Sequence, residues 1–146
     1  MAKAAQRWVV RGVHLVTGDS LGHLPDTKVR VTTVDQFVEE HWISRLDFIK
    51  MDIEGFEIDA LEGAKETIAR LQPSAVIEFN SFASVAFRNI NPRQLLDFVR
   101  SAFPYVYYWT NGLTPIRNDA EALGFIHHNL VSAGCVDDLY GTFTAL

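Results

Sequence analysis

A strand–helix–strand pattern between Leu46 and Phe79 constrains this chain more than any other feature. Leu46-Asp-Phe-Ile-Lys-Met-Asp-Ile53 is a short apolar run of the kind buried in a parallel sheet. Gly55 follows it. Ile58, Leu61, Ala64, Ile68 and Leu71 then recur at the 3.6-residue period, which predicts a helix over about 57–71 with one buried face. Pro73 cannot continue that helix. Ser74-Ala-Val-Ile-Glu-Phe79 is a second apolar run. Two strands joined by one crossover helix in about 35 residues make a βαβ unit, so the sheet around them is parallel.

The flanks extend the unit. Residues 8–16 are rich in strand formers, and residues 28–34 alternate apolar and polar. With the Gly, Pro and Asp residues between them they read as a loose N-terminal β-hairpin. Thr33 and Gln36 have capping-box spacing and Asp35 is a second candidate N-cap, so a short helix is expected over about 36–43. Residues 80–91 read as a polar connection. Pro92 opens a helix to about Phe103. Tyr105–Trp109 is a strand, Asn111-Gly112 a turn, and 119–132 a helix. A last strand lies near 138–144. This order describes half of a doubly wound, three-layered α/β sheet in one domain over residues 1–146.

Composition removes several classes of function. The chain has 146 residues, 48% of them hydrophobic and 12% aromatic, which is enough apolar material for a core. Its net charge is −5 with no Lys/Arg cluster, so nucleic acid is not the expected partner. Cys135 is the only cysteine, which excludes an intrachain disulfide and a cysteine-rich zinc site. Adjacent His127 and His128 point in different directions on a helix, and no metal site is expected from the histidines. No segment approaches the ~18 apolar residues of a membrane span, and the N-terminus lacks a signal-peptide pattern, so a cytoplasmic location is expected.

Asp47-Phe-Ile-Lys-Met-Asp-Ile-Glu-Gly-Phe-Glu57, Ala60-Leu-Glu-Gly-Ala64 and Gln72-Pro-Ser-Ala-Val-Ile-Glu78 together resemble the FkbM methyltransferase family. Ala60 stands where that family usually has Val, and Gln72 where Arg is common. Val31-Thr-Thr-Val-Asp35 resembles the family's T-L-D strand. The clear resemblance covers residues 29–80. It implies a Rossmann-like methyltransferase sheet whose last strand runs antiparallel, inserted between the strands at 74–79 and 105–109. It also implies methyl transfer from S-adenosylmethionine, usually to an oxygen.

The family's D-x-G-A-N donor loop does not occur among the 146 residues, whose nine glycines form no G-x-G pair. Full members carry three strands ahead of the T-L-D segment. The expectation is therefore the second half of such a domain, inactive alone, with donor-binding residues that cannot be assigned. The strand at 46–52 would then have a bare edge. A homodimer through that edge is expected, or a hairpin folded over it, or a partner that supplies the missing half.

Ligands of open α/β sheets bind beyond the carboxyl ends of the strands. Asp52, Glu54 and Glu78 are accordingly the candidate acceptor-side catalytic residues, and Asn80 a candidate substrate-binding residue. The alternative for Glu54 and Glu57 is a favourable place in the first turn of a helix. Lys50, in a strand that reads as buried, calls for an ion pair with Asp35 or a strand-end carboxylate. Two other readings of the whole chain are a non-catalytic folded remnant and an esterase using Ser20 of Gly18-Asp-Ser-Leu21. The esterase lacks the D-x-x-H it would need.

Overall fold

The computed structural model describes residues 31–146. The predicted hairpin strand at 8–16, Ser20 and most of the second hairpin strand lie outside them. Residues 31–33 are not strand, and Val34 already belongs to α1 (Val34–Glu40). Thr33 is its N-cap, with both hydrogen bonds of the capping box formed to Gln36. Asp35 does not cap its own helix. Its carboxylate accepts from the Glu66 and Thr67 amides at 3.2 and 2.7 Å, in the first turn of α3 (Lys65–Leu71). Ala64, the residue at that N-cap, has no side-chain acceptor, so Asp35 satisfies donors that α3 leaves open.

The first strand, β1, is Phe48–Met51. The predicted helix after it is broken into α2 (Glu57–Glu62) and α3. The break falls at Gly63, where an added Cβ would lie 3.0 Å from Thr33 Cβ. Close approach of the start of α1 thus bends the crossover. β2 (Ser74–Asn80) follows, with alternating half-buried and buried residues. Residues predicted as a connection form α4 (Ser81–Arg88), capped by Asn80. α5 (Pro92–Ala102), β3 (Tyr105–Trp109) and α6 (Asp119–Val131) fall where the sequence put them. β4 (Leu113–Pro115) completes a hairpin around the Asn111-Gly112 turn, and the last strand is β5 (Val136–Thr142).

The sheet order is β1-β2-β5-β3-β4. β1 and β2 are parallel, and β5 lies antiparallel between β2 and β3, as the resemblance implies. β1 is an edge strand among the described residues, again as expected.

The three-layer expectation does not hold among the described residues. Met51, Ile77, Phe79, Val106 and Leu139 bury one face of the sheet against Leu61, Leu96, Val99 and Phe125 of the helices. Phe79 and Tyr108 meet the Phe125 ring edge to face at 4.8 and 4.9 Å, contacts worth about 0.5–1.5 kcal/mol each beyond burial. The opposite face carries Lys50, Val76, Glu78, Asp138 and Trp109, none of them buried. This is why Lys50 is exposed rather than buried: no helix among the described residues covers that face of its strand. No helix among the described residues is long and apolar enough to cross a membrane.

Candidate active site at the ends of two parallel strands

Asp52 and Glu54 follow β1, and Glu78 lies near the end of β2. Because the two strands are parallel and Met51 pairs with Ile77, these carboxylates share one edge of the sheet. One oxygen from each lies within 4.8 Å of the others. Sequence reasoning named this trio, and the fold assembles it.

The turn between Asp52 and α2 is shaped by its backbone. Glu54 (φ 54°) and Gly55 (φ +96°) both occupy the left-handed side, which costs Glu54 about 1–2 kcal/mol. An added Cβ on Gly55 would meet Arg88 Cγ at 3.1 Å and the Ala83 carbonyl oxygen at 3.4 Å. α4 therefore seals the back of the turn. Glu57, 1% exposed, reaches back to accept from the Ile53 and Gly55 amides, both at 3.3 Å. Its place in the first turn of α2 was foreseen, but its grip on the loop was not.

Lys50 pairs with the strand-end carboxylate of Asp52 at 2.9 Å, and not with Asp35. Both side chains are about half exposed, so the pair contributes at most about 1 kcal/mol. The hydrogen bond to Asp52 holds the ammonium above its ordinary pKa. Three carboxylates at this spacing would also suit a hard divalent cation. Among the described residues, the cation beside them is Lys50.

Glu78 differs from its neighbours. Its Oε2 is buried and makes no hydrogen bond among the described residues. Burial raises its pKa, and the charges of Asp52, Glu54, Glu57 and Asp138 raise it further. Asp138 is its cross-strand partner on β5. The sequence placed Asp138 at the start of the last strand, but not the register that sets it opposite Glu78.

The raised value has a consequence for stability. As pH rises, the unfolded chain loses the Glu78 proton first. The native state then holds more protons, so stability falls between the ordinary glutamate pKa and the raised one. Asp137, also raised chiefly by burial, adds a fall of the same sign. Glu78→Gln should therefore be more stable than wild type at neutral pH and no more stable at acid pH. Urea midpoints across that range check this, and a variant less stable at neutral pH would contradict it.

Asn80 is only partly available. Its Oδ1 caps α4 by accepting from the Ala83 amide at 2.9 Å, while its Nδ2 makes no hydrogen bond among the described residues. The strand end is fixed from behind by Asn129, 0% exposed. Its Oδ1 accepts from Ser81 Oγ at 2.7 Å, and its Nδ2 donates to the Phe79 carbonyl at 3.3 Å. A polar residue in an apolar helix gave no hint of that role.

The mixed α/β sheet sets acidic residues at the ends of adjacent parallel strands, where open α/β sheets bind their ligands. The family model for the methyltransferase FkbM domain matches residues 20–107, beyond the 29–80 of the clear resemblance. The match covers more than half of the chain, which belongs to the FkbM methyltransferase family. No curated protein and no solved structure matches it.

The family uses S-adenosylmethionine. The family's D-x-G-A-N donor loop does not occur among the described residues. Gly55 supplies their one glycine turn between a parallel strand and a helix, and Arg88 and Ala83 fill the space that its missing side chain leaves.

Proposed function

We propose that this chain supplies the acceptor side of an O-methyltransferase. On this reading it is the second half of the Rossmann-like sheet and is inactive alone. The donor loop lies on a segment outside these 146 residues, one that meets the edge of β1 left open among the described residues. The observation that carries the reading is the trio Asp52, Glu54 and Glu78 at adjoining carboxyl ends. A cleft of about 240 Å³ along β1, lined by Val34, Phe48 and Ile49, supports the place of docking.

Glu78 is the base. A carboxylate with a raised pKa, one oxygen buried and unpaired among the described residues, is suited to take the proton of an acceptor hydroxyl. Asp52, tied to Lys50, and Glu54 orient that hydroxyl, and the free Nδ2 of Asn80 donates to the acceptor.

Two measurements test this. Calorimetry of the isolated chain with S-adenosylmethionine should show no binding, and tight binding would place a donor site within these residues. In the assembled enzyme, Glu78→Gln should lower kcat by about 10²-fold or more with donor affinity unchanged. Because this variant is expected to be at least as stable as wild type, a loss of turnover would not reflect misfolding. Unchanged turnover would remove Glu78 from the mechanism.

A further inference from the structure

The exposed side of α4 is apolar. Phe82, Val85 and Phe87 are 63%, 54% and 68% exposed, and the two Phe rings meet edge to face at 6.1 Å. The polar residues of the same helix point inward. Ser81 Oγ donates to Asn129, and Ser84 Oγ to the Asn80 carbonyl at 2.8 Å. A surface helix normally shows the reverse pattern.

This surface is continuous with the carboxylates. α4 begins where β2 ends and packs on the Glu54-Gly55-Phe56 turn. There the Arg88 guanidinium stands 4.0 Å from the Phe56 ring centroid. Val136, 46% exposed, pairs with Asn80 at the same strand end.

Resting on the methyl-transfer reading, we propose that α4 is the wall of the acceptor site and takes the apolar body of an uncharged alcohol. Charge complementarity selects this class. Asp52, Glu54, Glu78 and Asp138 outnumber the one cation beside them among the described residues, Lys50, and give the mouth a negative potential that repels phosphate and carboxylate groups. Arg88 offers no counter-charge, because it is paired with Asp59 at 2.7 Å and stacked on Phe56. A sugar without an apolar substituent leaves Phe82 and Phe87 in water, whereas an amphiphilic alcohol covers them while its hydroxyl reaches Glu78.

The test uses the full chain and three probes: n-octyl glucoside below its micelle concentration, methyl glucoside and octyl phosphate. NMR titration should show saturable binding of octyl glucoside, with shifts at Phe82, Val85 and Glu78. The other two probes should bind more weakly by about tenfold or more, as should octyl glucoside to F82S/F87S. Both side chains are exposed, so the melting temperature of that variant should match wild type.

Equal binding of octyl phosphate, or binding unaffected in F82S/F87S, overturns the proposal. So does a dimer, seen by light scattering, that dissociates in F82S/F87S, since α4 would then be a self-association surface. Octyl glucoside binding without methyl transfer in the assembled enzyme would sink the transfer reading and leave this site standing. Methyl transfer to unsubstituted sugars at a rate indifferent to F82S/F87S would do the opposite.

Discussion

Gly141→Val should leave little or no folded protein. Gly141 lies in β5, between Ala75 of β2 and Val106 of β3, in the middle of the sheet. The Phe103 ring lies across it. A Cβ at this position would sit 2.5 Å from Phe103 Cγ and 2.6 Å from Cδ2, well inside contact distance. Phe103 is 2% exposed and packs edge to face against Phe143 at 5.8 Å, so the ring has no free volume to enter. Overpacking by a single methyl costs about 1–3 kcal/mol. Valine adds two more carbons, against a total stability of about 5–15 kcal/mol for a domain. Gly141→Ala should fold with a clearly lowered urea midpoint, and Phe103→Leu in the same chain should recover part of the loss. A wild-type midpoint for Gly141→Val would mean that Phe103 has a second place to go.

Which parts of this molecule were legible in sequence follows from the range of the interactions that fix them. The crossover unit, the capping box at Thr33 and the Pro92 helix start are local, and periodicity or spacing reveals them. Asp52, Glu54 and Glu78 were legible because strand ends locate ligand sites in any open α/β sheet. α4 was not legible, because its pattern is inverted. Apolar residues face out and serines face in, so neither a buried stripe nor a polar surface shows. The exposure of Lys50 depends on which layer lies over β1, a tertiary fact that a four-residue strand does not encode. Asp138 fell within the predicted last strand, but its place opposite Glu78, where it raises the Glu78 pKa, depends on an antiparallel register that no local pattern gives. Asp35 was seen as a cap, but the helix it serves begins some 30 residues downstream.

Glu57→Ala should cost about 3 kcal/mol and loosen the candidate site. Glu57 is buried, and its Oε1 accepts from two loop amides, those of Ile53 and Gly55. The loop needs such a clasp because Glu54 and Gly55 both hold left-handed backbone. Alanine leaves both donors without an acceptor, at about 1–3 kcal/mol for each one that stays dry. It also frees the turn that carries Glu54 and follows Asp52. Glu57→Gln keeps an acceptor oxygen of the same reach and loses only the charge, so its cost should be smaller, about 1 kcal/mol. That order distinguishes the clasp from a helix-dipole effect. A dipole contribution would be lost equally in both variants and would amount to about 0.3–1 kcal/mol. Urea midpoints give the energies, and amide exchange at Ile53 and Gly55 gives the mechanism. Exchange should accelerate in Glu57→Ala well beyond Glu57→Gln. Equal small losses with exchange unchanged would return Glu57 to a plain first-turn acid and leave the geometry of the Asp52–Glu54 turn without its restraint.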